Sequence, residues 1–159
     1  WSQAENYTFT TDSNDFIYVA TWSDDAVAQG WLGQFSAGSA TLFSDATWEV
    51  YLSFQNKGDN SPVPTLGEMA SQISLANLGN NGGWVSVNNL LNHGVSPWGT
   101  IAGISSEAKW IWGSRMDVGS GYGEFQVFRH STAVPEPASV LLLGSSLIGF
   151  FGMNRRRRA

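Results

Sequence analysis

The chain contains no cysteine, which excludes disulfide bonds, thiolate metal sites and a cysteine nucleophile. Histidine is nearly absent: His93 and His130 are the only two, and neither has a partner at the spacing of a metal or general-base motif. We expect both to be surface or hydrogen-bonded loop side chains. The sequence therefore offers no catalytic residue and no metal-ligand motif, and we do not expect an enzyme.

Basic residues are scarce outside the last few positions. When Glu136 and the arginines that follow it are set aside, four basic residues stand against twelve acidic ones, a net charge of −8. Such an acidic body disfavours DNA, RNA and anionic lipid as partners. Neutral sugars, cations and basic surfaces remain compatible with it.

A long apolar run without charge occurs once, at residues 138–153. As a helix it would be about 24 Å long, slightly short of a hydrocarbon core of roughly 30 Å. Basic residues follow it directly and would stay on the cytoplasmic side of a membrane. Residues 138–159 therefore predict a transmembrane helix and basic tail; a buried core helix or a nucleic-acid patch fits this order less well. The basic residues are Arg155, Arg156, Arg157 and Arg158.

A short proline motif precedes the apolar run and consists of Val134, Pro135, Glu136 and Pro137. Its two prolines fix φ and remove two backbone donors, which favours an extended, accessible segment. Motif, apolar run and arginine cluster, in this order, closely resemble the PEP-CTERM signal of Gram-negative bacteria. The resemblance covers residues 134–159.

This resemblance implies a substrate of exosortase, a membrane-embedded cysteine transpeptidase-like enzyme that recognises the motif and removes the tail. It also implies export to the Gram-negative cell envelope, and a processed protein at the cell surface or in the extracellular matrix of a biofilm. The expected partners are exosortase, the membrane before processing, and extracellular polysaccharide. Because the chain begins at Trp1 without a signal peptide, we expect its precursor to continue upstream.

Short apolar runs separated by glycine, asparagine, aspartate and serine dominate the body of the chain. They favour a mainly β, jelly-roll-like β-sandwich over residues 1–130, which we expect to lack part of its N-terminus. Residues 131–137 are assigned to a linker that carries the sorting motif. The clearest alternation places Trp48, Val50, Leu52 and Phe54 on one strand face. Further strands are predicted at 16–20, 31–35, 84–87, 109–112 and 124–129.

One helix is predicted among the strands. Thr65 and Glu68 have the spacing of a capping box, and apolar residues then recur at helical intervals. We predict a helix over residues 66–78 that packs on the sandwich and ends at Gly79.

Aromatic residues are abundant, and eight of them are tryptophans. Exposed rings can stack on the apolar faces of sugars, and Trp98 and Trp84, which lie in loop-like segments, are the predicted platforms for a ligand. Four other tryptophans fall within strand patterns and are expected in the core. These are Trp31, Trp48, Trp110 and Trp112.

Scattered segments of the body resemble galactose-binding-type β-sandwich modules. The resemblance implies a sandwich fold and carbohydrate binding; a glycan-active enzyme, or an accessory module of one, is the alternative. The segments that carry it are 22–25, 29–35, 98–99, 109–112 and 125–129.

Adjacent Asp24 and Asp25 could supply oxygen ligands to a structural calcium ion. Paired aspartates in a turn are more often solvated turn formers, and the spacing of a calcium-binding loop is missing. We therefore expect no cofactor, with structural calcium as the alternative at these two residues.

Overall fold

The computed structural model describes residues 3–12, 14–22, 29–37, 40–56, 62–113 and 124–132. Eight strands, one α-helix and one short 3₁₀ turn lie within them. The prediction of a mainly β domain with one helix is confirmed. In chain order the elements are β1 (Phe16–Trp22), β2 (Gln34–Ala37), β3 (Ala40–Phe43), β4 (Glu49–Asn56), α1 (Leu66–Asn77), β5 (Val85–Ser86), β6 (Asn89–Asn92), β7 (Lys109–Trp112) and β8 (Glu124–Ser131).

An antiparallel sheet in the order β1–β8–β4–β5 forms the centre of the fold. Strand β8, the last in the described part of the chain, pairs with β1 on one side and with β4 on the other. Its register places Ser131 opposite Phe16 and Phe125 opposite Trp22. Because it pairs on both sides, β8 is an internal strand of the sheet; the pairing with β1 reaches Ser131, whereas the pairing with β4 reaches Arg129.

Two hairpins, β2–β3 and β6–β7, form a second layer over one face of this sheet. Trp31 joins them, since Trp31 and Ile111 exchange two backbone hydrogen bonds of 2.9 Å. Ser44 adds a second link. Its buried hydroxyl donates to the Lys109 carbonyl at 2.7 Å and accepts from the Gly33 N–H at 3.0 Å. Segments that are distant in sequence are thus held in one layer.

The core lies between these two layers and follows the strand period of two. Trp48 and Val50 are fully buried, as predicted, and Leu52 packs against them. From the second layer, Trp31 meets the Trp48 ring edge-on, with centroids 4.8 Å apart, and stacks on Phe128 at 5.7 Å. Large rings from both layers therefore interlock, and each contributes both buried area and specific ring geometry.

The predicted inward position of Phe54 is wrong. Its side chain is 68% exposed and its φ is 54°, at a point where the register between β4 and β8 shifts between Leu52 and Asn56. Between these two positions β4 advances by four residues and β8 by two, so the bulge holds two extra residues and ends the alternation that a regular strand would continue.

Helix α1 packs against β4 and β8. It begins where the sequence predicts: the Thr65 hydroxyl accepts from the Glu68 N–H at 3.2 Å, and the Glu68 carboxylate accepts from the Thr65 N–H at 2.7 Å. Gln72 and Ala76 are buried, whereas Leu66 is 82% exposed. The helix therefore contacts the sheet through one narrow stripe.

Several boundaries differ from the predicted ones. The sequence does not predict β3 or β6, because their residues alternate too little between apolar and polar to be recognised. Strand β8 continues to Ser131, so the first residue of the predicted linker belongs to the sheet.

The predicted transmembrane segment at 138–153 lies outside the described residues. Within the residues that are described, no helix combines the length and the apolar character needed to cross a membrane.

Replacement of Ser44 by alanine tests the link that holds the second layer together. Ser44→Ala leaves the Gly33 N–H and the Lys109 carbonyl without this buried hydroxyl. We expect the free energy of unfolding to fall by about 2–3 kcal/mol, measured by urea denaturation. Ser74→Ala, which removes an exposed helical hydroxyl, is the control and should change stability by less than about 0.5 kcal/mol. Equal effects of the two substitutions would contradict this role for Ser44.

Candidate functional site

The predicted exposure of Trp98 is wrong. Its side chain is only 8% exposed and stacks on Trp110, with ring centroids 4.8 Å apart and an angle of 21° between the rings. The surrounding loop folds back on itself: the Gly99 N–H donates to the Val95 carbonyl at 2.9 Å, and the Ile101 N–H donates to His93 Nε2 at 2.8 Å. Trp98 is therefore part of a small hydrophobic core, and a ligand-binding role for it stays a prediction.

Trp84 is half-buried, and neighbouring side chains contact its indole ring. The Arg129 guanidinium lies 4.2 Å from the centre of the ring, and the indole N–H donates to Asn77 Oδ1 at 2.8 Å. Arg129 also pairs with Glu49 at 2.7 Å. This arrangement has a packing role; a ligand-binding role for Trp84 stays a prediction.

The other predicted site residues lie outside the described residues. These are Asp24 and Asp25, the motif at 134–137 and the arginines at 155–158. Nothing in the structure tests a calcium ion at the two aspartates. Across the parts of the chain that the structure describes, no group of three or more histidine, aspartate or glutamate side chains could hold a metal ion.

Both histidines are hydrogen-bonded, as predicted. His93 Nδ1 lies 3.2 Å from the Ser105 carbonyl, and its Nε2 accepts from the backbone of the next turn. His130 lies on β8 and not in a loop. Its Nε2 is 3.0 Å from the Thr47 hydroxyl.

A cleft of about 1140 Å³ opens between residues 3–12 and the second layer; we call it the N-terminal cleft. Its volume lies slightly above the range of typical small-ligand pockets, roughly 300–1,000 Å³. The N-terminal segment forms one wall, fixed by a parallel bridge between Gln3 and Ala102 and by an edge-to-face contact between Phe9 and Phe35 at 6.2 Å. Local sequence patterns do not reveal this cleft, because the segments that form its walls are far apart along the chain.

Aromatic rings and polar groups share the lining of the N-terminal cleft. Tyr7 is 79% exposed and Phe9 is 54% exposed, so both rings are accessible to a ligand. Gln34 is held in place, because its Oε1 accepts from the Ser105 N–H at 2.8 Å. The remaining lining includes Gln3, Asn6, Trp31, Thr41 and His130. The cleft thus offers ring faces for stacking and amide or hydroxyl groups for hydrogen bonds.

The electrostatic character of the cleft is set by two acidic residues, Glu5 and Asp12. The Glu5 carboxylate accepts a hydrogen bond from the Tyr7 hydroxyl, and this bond raises the pKa of Tyr7 above its usual 10.0. At neutral pH the Tyr7 hydroxyl is protonated, as in an ordinary tyrosine, so its ring carries no charge.

A second feature lies where β8 ends. The Thr132 N–H donates to the Asp15 carbonyl at 2.9 Å, and the Thr132 hydroxyl lies 2.6 Å and 2.9 Å from the carbonyl oxygens of Asp12 and Asp15. The Asp15 carboxylate in turn accepts from the Asp12 N–H at 2.8 Å. We call Asp12, Asp15 and Thr132 the clasp. It fixes the chain directly before the proline motif, where the sequence predicts a linker.

A tryptophan substitution tests the burial of Trp98. Trp98→Ala removes the stacked partner of Trp110 and leaves a cavity in the small core, so we expect a loss of about 3–5 kcal/mol in the free energy of unfolding. Urea denaturation followed by far-UV circular dichroism measures it. Leu78→Ala is the control, because Leu78 is 78% exposed. A loss below about 1 kcal/mol for Trp98→Ala would restore the exposed-platform hypothesis.

Comparisons with known proteins bear on the C-terminus. Searches of curated proteins and of solved structures found no significant match, so the predicted likeness to galactose-binding modules has no support from them. Residues 133–158 match the profile described as the PEP-CTERM protein-sorting motif. The motif implies an exported protein that exosortase processes and that is sorted to the cell envelope. The chain therefore carries a PEP-CTERM sorting motif directly after the clasped end of its central strand.

Proposed function

We propose that this protein acts at the surface or in the extracellular matrix of a Gram-negative bacterium after exosortase has removed its C-terminal tail. The match of residues 133–158 to the sorting motif is the observation that carries the proposal. In the precursor, residues 138–153 span the membrane as a helix, and the arginines that follow hold the chain end in the cytoplasm. The body, with jelly-roll-like connectivity, remains outside.

The residue types of the motif suit recognition by a membrane enzyme. Pro135 and Pro137 restrict the backbone to extended conformations, so little ordering entropy is lost when the segment enters an active site. Glu136 supplies the one negative charge between the clasp and the arginine cluster. The enzyme can recognise this carboxylate at a fixed position between the rings of the two prolines.

Substitution of the proline motif tests this function. With Pro135→Ala, Glu136→Ala and Pro137→Ala combined, we expect the tail to be retained, because the rigid backbone and the charge are both lost. Processing is followed in the producing bacterium as the mass difference between precursor and product. Glu107→Ala, which removes an exposed acidic residue of the body, should be processed normally. Unchanged tail removal in the triple variant would refute the proposal.

We further propose that the N-terminal cleft binds a neutral polysaccharide of the extracellular matrix. Its accessible rings, Tyr7 and Phe9, and its amide and hydroxyl groups support a sugar ligand. The net negative charge of the body argues against anionic polymers. This proposal replaces the loop platform at Trp98, whose ring is buried.

We propose binding rather than catalysis at this cleft and assign no cofactor. The alternative, a glycan-active enzyme or an accessory module of one, would depend on Glu5 and Asp12, the carboxylates in the described lining. Glycoside hydrolysis requires two carboxyl groups roughly 5–10 Å apart. Release of reducing sugar from a matrix glycan, and its loss in Glu5→Gln, would favour the enzyme.

Aromatic substitutions in the cleft test the carbohydrate proposal. We expect Tyr7→Ala combined with Phe9→Ala to weaken binding at least tenfold, equivalent to about 1.4 kcal/mol, because two stacking surfaces are removed. A glycan array identifies the ligand, and tryptophan fluorescence titration gives the affinity. Phe54→Ala removes an equally exposed ring at the far end of the sheet and is the control. No binding to any neutral matrix glycan would remove the proposal.

A further inference from the structure

The folded body ends almost at the sorting motif. Strand β8 pairs with β4 as far as Arg129 and with β1 as far as Ser131, which lies opposite Phe16. The clasp then fixes Thr132 through its N–H and its hydroxyl, at 2.9 Å and 2.6 Å from their acceptors. Only Ala133 and Val134 separate this fixed point from Pro135.

Covalent geometry limits how far the motif can extend from the body. Three residues span at most about 11 Å between Thr132 and Pro135. A domain of this size has a radius of gyration of roughly 14 Å, so the connection is shorter than the radius of the body it carries. An enzyme that grips Pro135 must therefore meet one particular part of the folded surface.

The register of the sheet identifies that part. The chain leaves the sheet beside the turn that contains Thr11, Asp12, Asn14 and Asp15, all of which are exposed. The opposite end of β8, near Glu124 and the bulge at Phe54, lies about 23 Å away along the strand. Only the end next to the clasp is close enough to touch an enzyme that is bound to the motif.

This edge could contact either exosortase or the lipid headgroups of the membrane, and its charge indicates which of the two it contacts. Asp12 and Asp15 place two carboxylates there, and no Lys or Arg lies among residues 3–12 or 14–16. Arg129 of β8 approaches the ring of Phe16 to 4.8 Å, but its charge is paired with Glu49. Anionic headgroups would repel such an edge. Polar or basic protein groups would accept it, and this favours the enzyme over the bilayer surface.

We propose that the clasp edge, which consists of Thr11, Asp12, Asn14, Asp15 and Thr132, is a docking face for exosortase that contacts the enzyme when the motif is in its active site. The inference rests on the proposed processing by exosortase and adds the surface of the body that the enzyme contacts. The short clasped connection makes this contact unavoidable while the domain is folded.

Site-specific photo-crosslinking tests the docking face in the intact precursor. Benzoylphenylalanine is placed at Asn14, or at the equally accessible Phe54 as the matched control, in a producing strain whose exosortase is inactive, so that the complex persists. We expect a cross-link to exosortase at least tenfold stronger from position 14 than from position 54. Equal cross-linking, capture of lipid instead of protein, or no cross-link from position 14 would overturn the inference.

A spacer and a parallel cleavage assay separate this inference from the proposed function. Twelve glycine and serine residues inserted after Thr132 add an average reach of roughly 19 Å; we expect tail removal by active exosortase to persist and the position-14 cross-link to fall at least fivefold. An undiminished cross-link would overturn the role of the short connection. Failure of active exosortase to cleave the wild-type chain would refute the proposed function itself.

Discussion

The double pairing of β8 is the constraint on which the rest of the structure depends. The strand hydrogen-bonds with β1 and β4 at once, so it fixes the order of the sheet and the position of the chain end together. Its side chains pack on both faces of the sheet. Phe128 enters the core under the second layer, and Arg129 on the opposite face lies between the rings of Phe16 and Trp84. The C-terminal tail therefore begins from the most firmly held strand of the sheet.

The second layer stays in register through polar contacts as well as ring packing. The buried Gln126 of β8 accepts from the Gly113 N–H at 2.9 Å, which ties the end of β7 to the central sheet. A side chain at Gly113 would meet Leu52 at 2.6 Å, so only glycine allows the two layers to approach this closely. The buried Ser44 hydroxyl likewise links two segments of the second layer by hydrogen bonds. Apolar packing alone would not specify these positions, whereas unmatched buried polar groups carry a large cost.

Predictions from local pattern succeeded where the cause of the structure is local. The capping box of Thr65 and Glu68 was found because its partners are three residues apart, and β7 was predicted at its observed bounds. Burial of Trp48 followed from strand alternation, but alternation could not reveal the bulge that exposes Phe54. Burial of Trp98 depends on a loop that folds back and on a ring twelve residues away, neither of which a local pattern contains.

By itself, the sequence determined the destination of this protein. A sorting motif is read as a linear segment, so the order of its residues carries the information without any fold. The sequence also determined the class of secondary structure and the acidic charge of the body. Only the tertiary structure decided which aromatic rings remain accessible, since the N-terminal cleft joins residues 3–12 with residues 31–36 and 40–42 and with Ile101 and Trp110. It alone also fixed the clasp, because Thr132 meets Asp12 and Asp15 only after β8 has paired with β1.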